Sequence, residues 1–287
     1  MLTIVIGDIH GMAAKLENLL GQIDMWCAAN ARAELRQLIF LGDYIDRGPD
    51  SRQVLQIVQR LQAEGAICLR GNHEELMLQA TESEGDLTNF LANGGDATIT
   101  SLGTPAAFQR TQEWARALPT SHEDEVRYYV HAGIRPGVPL DQQTAETKLW
   151  IRDSFLRHRG PFPKYIVHGH TPTIYLDPQQ TMPDVRDNRC NVDTGAGMNG
   201  PLSAAIFNDR QTKPIHTISV GASRIHCRQI DPTTTICKFL APSNEFASYP
   251  LEREASWCCR SGSGRSGNAR FSDVRPLLTL TRRIPHP

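Results

Sequence analysis

The stretch LTIVIGDIHG (2–11) carries an apolar run from Leu2 to Ile6 that breaks at Gly7 and delivers Asp8 and His10, one residue apart. A short run with no polar face reads as a strand buried on both sides. The same grammar recurs down the chain. Leu38–Leu41 leads into GDYIDRG (42–48), and Ala66–Leu69 leads into RGNHE (70–74). Arg127–Val130 leads into HAG (131–133), and Tyr165–Val167 into HGHTP (168–172). Five strands therefore end in Asp, Asn or His, mostly beside glycine. Ligands of α/β sheets bind at the carboxyl ends of the strands. Glycine there permits the tight turns and positive φ that project side chains into a cleft.

Several of these strands are separated by segments of helical spacing. Met12–Ile23 sets Leu16, Leu19, Leu20 and Ile23 on one face. Ser51–Gln62 does the same with Val54, Leu55, Val58 and Leu61, with Ser51 as its expected N-cap. Glu75–Thr81, Leu87–Leu91 and Phe108–Leu118 read as further helices, and Leu202–Phe207 and Ile215–Val220 as late strands. Strands alternating with helices predict an α/β fold whose sheets are covered on both faces.

The chain has 287 residues, with 30 Lys+Arg against 31 Asp+Glu and a net charge of −1. That balance excludes a globally basic nucleic-acid binder or a polybasic membrane protein. It also hides an asymmetry. Residues 221–287 hold 10 basic and 5 acidic residues, leaving 20 basic and 26 acidic residues in 1–220. The chain is accordingly expected to divide into a catalytic domain, 1–220, and a basic Ser/Arg/Gly-rich extension, 221–287, in part disordered. The N-terminus reads neither as a signal peptide nor as a membrane span, and the seven cysteines follow no disulfide framework. Reduced thiols in the cytoplasm are expected. Cys227 and Cys237 form no paired Cys-x-x-Cys zinc site, and GSGRSG (262–267) reads as a flexible segment, not a phosphate loop. Ser223–Cys227 or Thr235–Leu240 could extend a sheet.

Asp8, His10, Asp43, Asn72, His131 and His170 stand at or beside the strand ends. Taken singly, each has a bland alternative: a DxH is a solvated turn, GNHE an acidic helix start, a strand-terminal histidine a surface group. Those alternatives fail jointly, because each would place its residues by chance at the same end of successive strands. Carboxylate, amide and imidazole without thiolate suit Mn²⁺, Fe or Zn²⁺, and six donors exceed what one catalytic ion takes from protein. Two divalent metal ions bridged by Asp43 are the economical reading.

GDIHG (7–11), GDYIDRG (42–48), RGNHE (70–74), HAG (131–133) and GHTP (169–172), in this order, resemble the phosphoprotein phosphatase family of calcineurin-like metallophosphoesterases. LWIRDSF (149–155) and NVDTGA (191–196) resemble its bacterial serine/threonine phosphatase branch. The resemblance spans roughly 1–210. It implies a four-layer αββα sandwich with two central mixed β-sheets. It also implies metal ligation by Asp8, His10, Asp43, Asn72, His131 and His170, with His168 a close competitor for the last place. Arg47, Arg152 and Asn72 are implied to hold the phosphoryl oxygens, for which a guanidinium fork is apt. His73, next to Asn72, is expected to be the general acid, oriented by Asp46. A hydroxide bridging the two metals would then attack phosphorus directly, without a phosphoenzyme.

Three readings of function remain. The first is a serine/threonine protein phosphatase, with phosphotyrosine as a further substrate. The second is a diadenosine tetraphosphate hydrolase, whose relatives resemble GDLVARGP and GNHD where this chain has Asp46-Arg47 and Glu74. The third is an inactive scaffold, which would be expected had ligands been lost; none has been. A phosphoprotein or a small phosphoester is the expected partner, with no membrane and no nucleic acid.

Overall fold

A computed structural model describes residues 1–32 and 34–221. The expectations for the basic extension beyond 221, its glycine-serine segment, its cysteines and the candidate sheet strands at 223–227 and 235–240 lie outside the described residues. The chain starts with β1 (Leu2–Ile6), α1 (Ala13–Asn30), β2 (Arg36–Phe40), α2 (Ser51–Ala63) and β3 (Ile67–Cys68). A helical insertion follows: α3 (Asn72–Gln79), α4 (Glu84–Phe90), a π-helical turn (Leu91–Gly95), α5 (Asp96–Leu102) and α6 (Pro105–Ala117). Then come β4 (Ser121–Glu123), β5 (Arg127–Val130), α7 (Ala145–Trp150), α8 (Asp153–Leu156) and β6 (Tyr165–His168). The described chain closes with α9 (Thr173–Leu176), β7 (Asp184–Val185), β8 (Arg189–Asn191), β9 (Leu202–Asn208) and β10 (His216–Val220). Among these elements no helix is long and apolar enough to cross a membrane.

The strands form two mixed sheets, β10-β9-β1-β2-β3 and β4-β5-β6-β8-β7. β1, β2 and β3 run parallel in the first, and β5, β6 and β8 in the second. Successive side chains explain why the strands read as unbroken apolar runs. Ile4 and Ile6 point to the layer containing Leu16, Leu19 and Val58, while Val5 joins Ile39, Leu41, Tyr129, Val167 and Phe207 between the sheets. In the second sheet Tyr129 faces inward, whereas Tyr128 and Val130 pack with Phe155 and Leu156. Both faces of both sheets are therefore buried, which gives the expected helix–sheet–sheet–helix sandwich.

Several boundaries differ from the sequence reading. α1 runs to Asn30, because the buried stripe continues from Ile23 to Cys27. α3 starts at Asn72 instead of Glu75, since Glu74 reaches back to accept the Gly71 N–H at 2.9 Å and caps an earlier first turn. Ser51 is not the N-cap of α2: it lies in the helix, buried, with Oγ 3.1 Å from Thr98 Oγ1.

Candidate metal centre

The two sheets, packed face to face, come together at the carboxyl ends of β1 and β8. A Cβ on Gly7 would stand 2.6 Å from the Val192 carbonyl oxygen, so only glycine lets the end of β1 approach the end of β8 so closely. Cross-sheet hydrogen bonds complete the junction. His131 Nδ1 lies 3.0 Å from the Leu41 carbonyl, and the His170 N–H donates to Asp8 Oδ2 at 3.0 Å.

The backbone here is strained in a consistent way. Six non-glycine residues among those described have positive φ, and five of them are His10 (49°), Asp43 (54°), Asp46 (71°), Arg47 (69°) and His170 (66°). Each costs about 1–3 kcal/mol unless its surroundings dictate it. Glu74 dictates part of it. Its buried carboxylate accepts from the Asp43 N–H at 2.8 Å and the Tyr44 N–H at 2.9 Å, besides Gly71. Burial, then the charge of Asp43, pushes Glu74 up to about 7.

The donors converge in two groups. His10, Asp43 and His73 place ligand-type atoms within 4.8 Å of one another, as do Asp43, His131 and His170. Asp43 belongs to both, its Oδ2 3.5 Å from His10 Nε2 and its Oδ1 3.5 Å from His131 Nε2. Asn72 Oδ1 is approached at 2.8 Å by His131 Nε2 and by His170 Nδ1. Because His131 Nδ1 faces a carbonyl and donates to it, its Nε2 presents a lone pair, and so does the amide oxygen. Lone pairs aimed at one point are what a cation resolves. Asp8 Oδ1 and His170 Nε2 are buried with no hydrogen-bond partner.

The electrostatics agree. Burial, then the charge of His73, holds His10 well below the ordinary histidine range; burial lowers His131, and burial with His131 lowers His170 strongly. All three are thereby kept in the neutral form that ligates metal. Asp43 is held far below the carboxylate range: burial raises it, but its histidine neighbours, with the His73 N–H that donates to Oδ1, lower it more. Asp8 is pushed well up by burial, then by Asp193 and Asp43, which marks a concentration of negative charge that divalent cations would neutralise. The donor set therefore fits two divalent ions.

His73 is distinguished from the other histidines by its partner. Its Nδ1 lies 2.7 Å from Asp46 Oδ2, and its Nε2 is 2.9 Å from Arg47 Nη2. Burial lowers its pKa, but Asp43 and Asp46 together raise it above the ordinary value. Arg47 is exposed, and its second arm reaches His10 Nε2 at 2.9 Å. Arg152, the residue before α8, donates to Thr171 Oγ1 at 2.9 Å, on the loop that carries His170. His168 is buried with its ring 4.8 Å from that of Phe155, its Nε2 also without a hydrogen-bond partner, and its pKa is pushed down to about 3 by burial and Arg189. Sequence reasoning missed two contacts. Asp193 of NVDTGA is buried beside Asp8, and burial pushes it up to about 6. Thr98 donates to Asp46 Oδ1 at 2.6 Å. The recognised NVDTGA motif could have flagged Asp193; nothing in local periodicity marks Thr98.

Comparison with known proteins gives a consistent result. The family model for calcineurin-like phosphoesterases matches residues 1–194. Serine/threonine-protein phosphatase 1 of Salmonella typhimurium is 31% identical over 211 residues, covering 70% of this chain and 89% of that protein. A bis(5'-nucleosyl)-tetraphosphatase of Oceanobacillus iheyensis is 25% identical over 232 residues, covering 72% and 89%. Among solved structures, the cold-active protein-tyrosine phosphatase of a psychrophilic Shewanella superposes with a TM-score of 0.51 at 19% identity, over 71% of this chain and 75% of that one. That likeness concerns the fold.

Proposed function

The chain belongs to the phosphoprotein phosphatase family of calcineurin-like metallophosphoesterases, and from that premise we propose that this dinuclear metallophosphatase is a serine/threonine protein phosphatase. The observation that carries the reading is the buried Asp46–His73 pair, with 2.7 Å between Oδ2 and Nδ1. A seryl or threonyl alkoxide is a poor leaving group and departs with a proton from a general acid, whereas a nucleotide phosphate departs without one. An acid pair built into the core suits the first substrate. Diadenosine tetraphosphate is the alternative, supported by relatives that carry that activity in their names.

Asp8, Asp43 and His10 through Nε2 would hold one ion. Asp43, Asn72 through Oδ1, His131 through Nε2 and His170 through Nδ1 would hold the other. The donor set suits manganese. When bound, such a pair supplies an activated water nucleophile and neutralises phosphoryl charge.

The chain's own residues supply the rest. Arg47, reaching His10 and His73, and Arg152, reaching Thr171, bind the phosphoryl oxygens, each fork donating parallel hydrogen bonds. Asn72 offers its amide N–H to the same oxygens. Asp46 fixes the ring of His73 and keeps its proton, leaving Nε2 to protonate the departing oxygen.

The test is a panel of p-nitrophenyl phosphate, a phosphoserine peptide and diadenosine tetraphosphate, each with added Mn²⁺. Turnover of the phosphopeptide is expected. Activity confined to the dinucleotide would overturn the proposal, and no turnover with any metal would favour a scaffold.

A further inference from the structure

The π-helical turn (Leu91–Gly95) and α5 carry none of the site motifs, yet they grip two consecutive residues of the GDYIDRG loop. Thr98, in α5, is fully buried. Its hydroxyl donates to Asp46 Oδ1 at 2.6 Å and accepts the Asp46 N–H at 2.8 Å. With its only proton committed to the carboxylate, Thr98 also accepts from Ser51 Oγ at 3.1 Å. One turn earlier, the Gly94 carbonyl accepts the Arg47 N–H at 3.1 Å. Gly94 sits at φ 96°, and a Cβ there would meet the Arg47 nitrogen at 2.8 Å. The π-helical turn and α5 are thus moulded onto Asp46 and Arg47, whose left-handed conformations (φ 71° and 69°) need external support.

Asp46 uses its other oxygen, Oδ2, on His73. The chain of contacts Ser51–Thr98–Asp46–His73 therefore runs from α2 through α5 to the acid, with every member buried. Because Thr98 binds both the main chain and the carboxylate of Asp46, it sets where Oδ2 stands, and hence where His73 Nε2 points.

We propose that Thr98 is a positioning residue for the general acid, which ties α5 to the catalytic machinery. This rests on the reading of His73 as the acid, and the experiment separates the two. The Mn²⁺-loaded full chain is assayed on a phosphoserine peptide, whose leaving group needs a proton, and on 2,4-dinitrophenyl phosphate, whose leaving group does not. Thr98→Val keeps the shape and removes the hydroxyl. For this variant kcat on the peptide is expected to fall about 10- to 100-fold, against less than about threefold on the activated ester, with KM little changed. Thr98→Ser should restore the peptide rate to within about threefold, since it returns the hydroxyl. His73→Asn serves as the reference and should give the same selective loss, larger in size. Equal loss on both substrates for Thr98→Val, or no rescue by serine, overturns the positioning role while leaving His73 as the acid. No selectivity in His73→Asn overturns the acid reading instead. If Thr98→Val does not fold, Thr98→Cys, which offers only a weak thiol donor and is compared with Thr98→Ser as its near-isostere, is read by the same ratio.

Discussion

Replacing Glu74 by glutamine tests whether the strained metal loop is held by a single buried carboxylate. Oε2 accepts from the Asp43 and Gly71 N–H groups at 2.8 and 2.9 Å, and Oε1 from the Tyr44 N–H at 2.9 Å, with the side chain fully buried. Glutamine has the same shape but only one acceptor oxygen. Its best orientation keeps Asp43 and Gly71 satisfied and turns its NH2 toward the Tyr44 N–H, donor against donor. Leaving that one buried donor unpaired costs about 1–3 kcal/mol. The two remaining bonds lose their charge assistance, which roughly halves their strength. Against this stands the relief of no longer burying a charge, for a group whose pKa burial has already pushed up to about 7. The net loss is about 2–3 kcal/mol, which for a domain of this size lowers the melting temperature by about 4–12 °C.

The same substitution loosens Asp43, which is held at φ 54°. Manganese affinity should therefore fall about 10-fold or more, as for other groups that orient a metal ligand. Thermal unfolding in EDTA reads the first effect without any contribution from bound metal, and calorimetric titration reads the second. A variant that melts within about 1 °C of the parent and binds manganese equally well would refute the argument that Glu74 holds this loop.

Two further outcomes follow from particular contacts. A Cβ on Gly169 would stand 2.1 Å from Asp8 Oδ1 and 3.5 Å from the Asp193 Cβ, so Gly169→Ala must displace Asp8. Elemental analysis after gel filtration should then find about one tightly held ion per chain in place of about two, and full metal content would contradict the assignment of Asp8. Asp124 accepts from the Val126 and Arg127 N–H groups at 2.9 and 2.6 Å and from Tyr129 Oη at 2.6 Å. Burial alone would raise its pKa, but these hydrogen bonds, Tyr129 foremost, with the Arg127 charge, lower it. A depressed carboxylate stabilises the fold above its unfolded pKa of about 3.9, and the benefit is lost as pH falls through the lower folded value. Asp124→Asn should thus be clearly less stable than the parent at pH 7, with the difference in urea midpoint shrinking below about pH 4. An equal gap at both pH values would sink this account.

Much of the candidate site was legible because its residues are local to strand ends. A short apolar run followed by Gly-Asp, Gly-Asn or His-Gly needs no tertiary information to be recognised, and the structure brings Asp43, Asn72, His131 and His170 around one point. The longer strands were legible for the same reason, since strands buried on both faces leave few polar positions within them. The short strands β4, β7 and β8 were not, for two or three residues carry no period. Helix α5 escaped as well, its seven residues lying between Gly95 and Gly103 without a clear apolar stripe.

By itself, then, the amino-acid sequence determined the strand pattern, the family and the inventory of metal-type donors, because each is written in contiguous residues. Tertiary structure alone decided which histidine pairs at hydrogen-bond distance with a carboxylate. His10 and His73 both follow glycine-flanked turns or starts, yet only His73 has Asp46 at 2.7 Å. It also decided that Thr98 holds Asp46 across 52 residues of chain and that Glu74 clamps Asp43 across 31. Such hydrogen bonds leave no trace in periodicity or composition. They exist because a buried carboxylate or hydroxyl must find a partner wherever the packed fold places one.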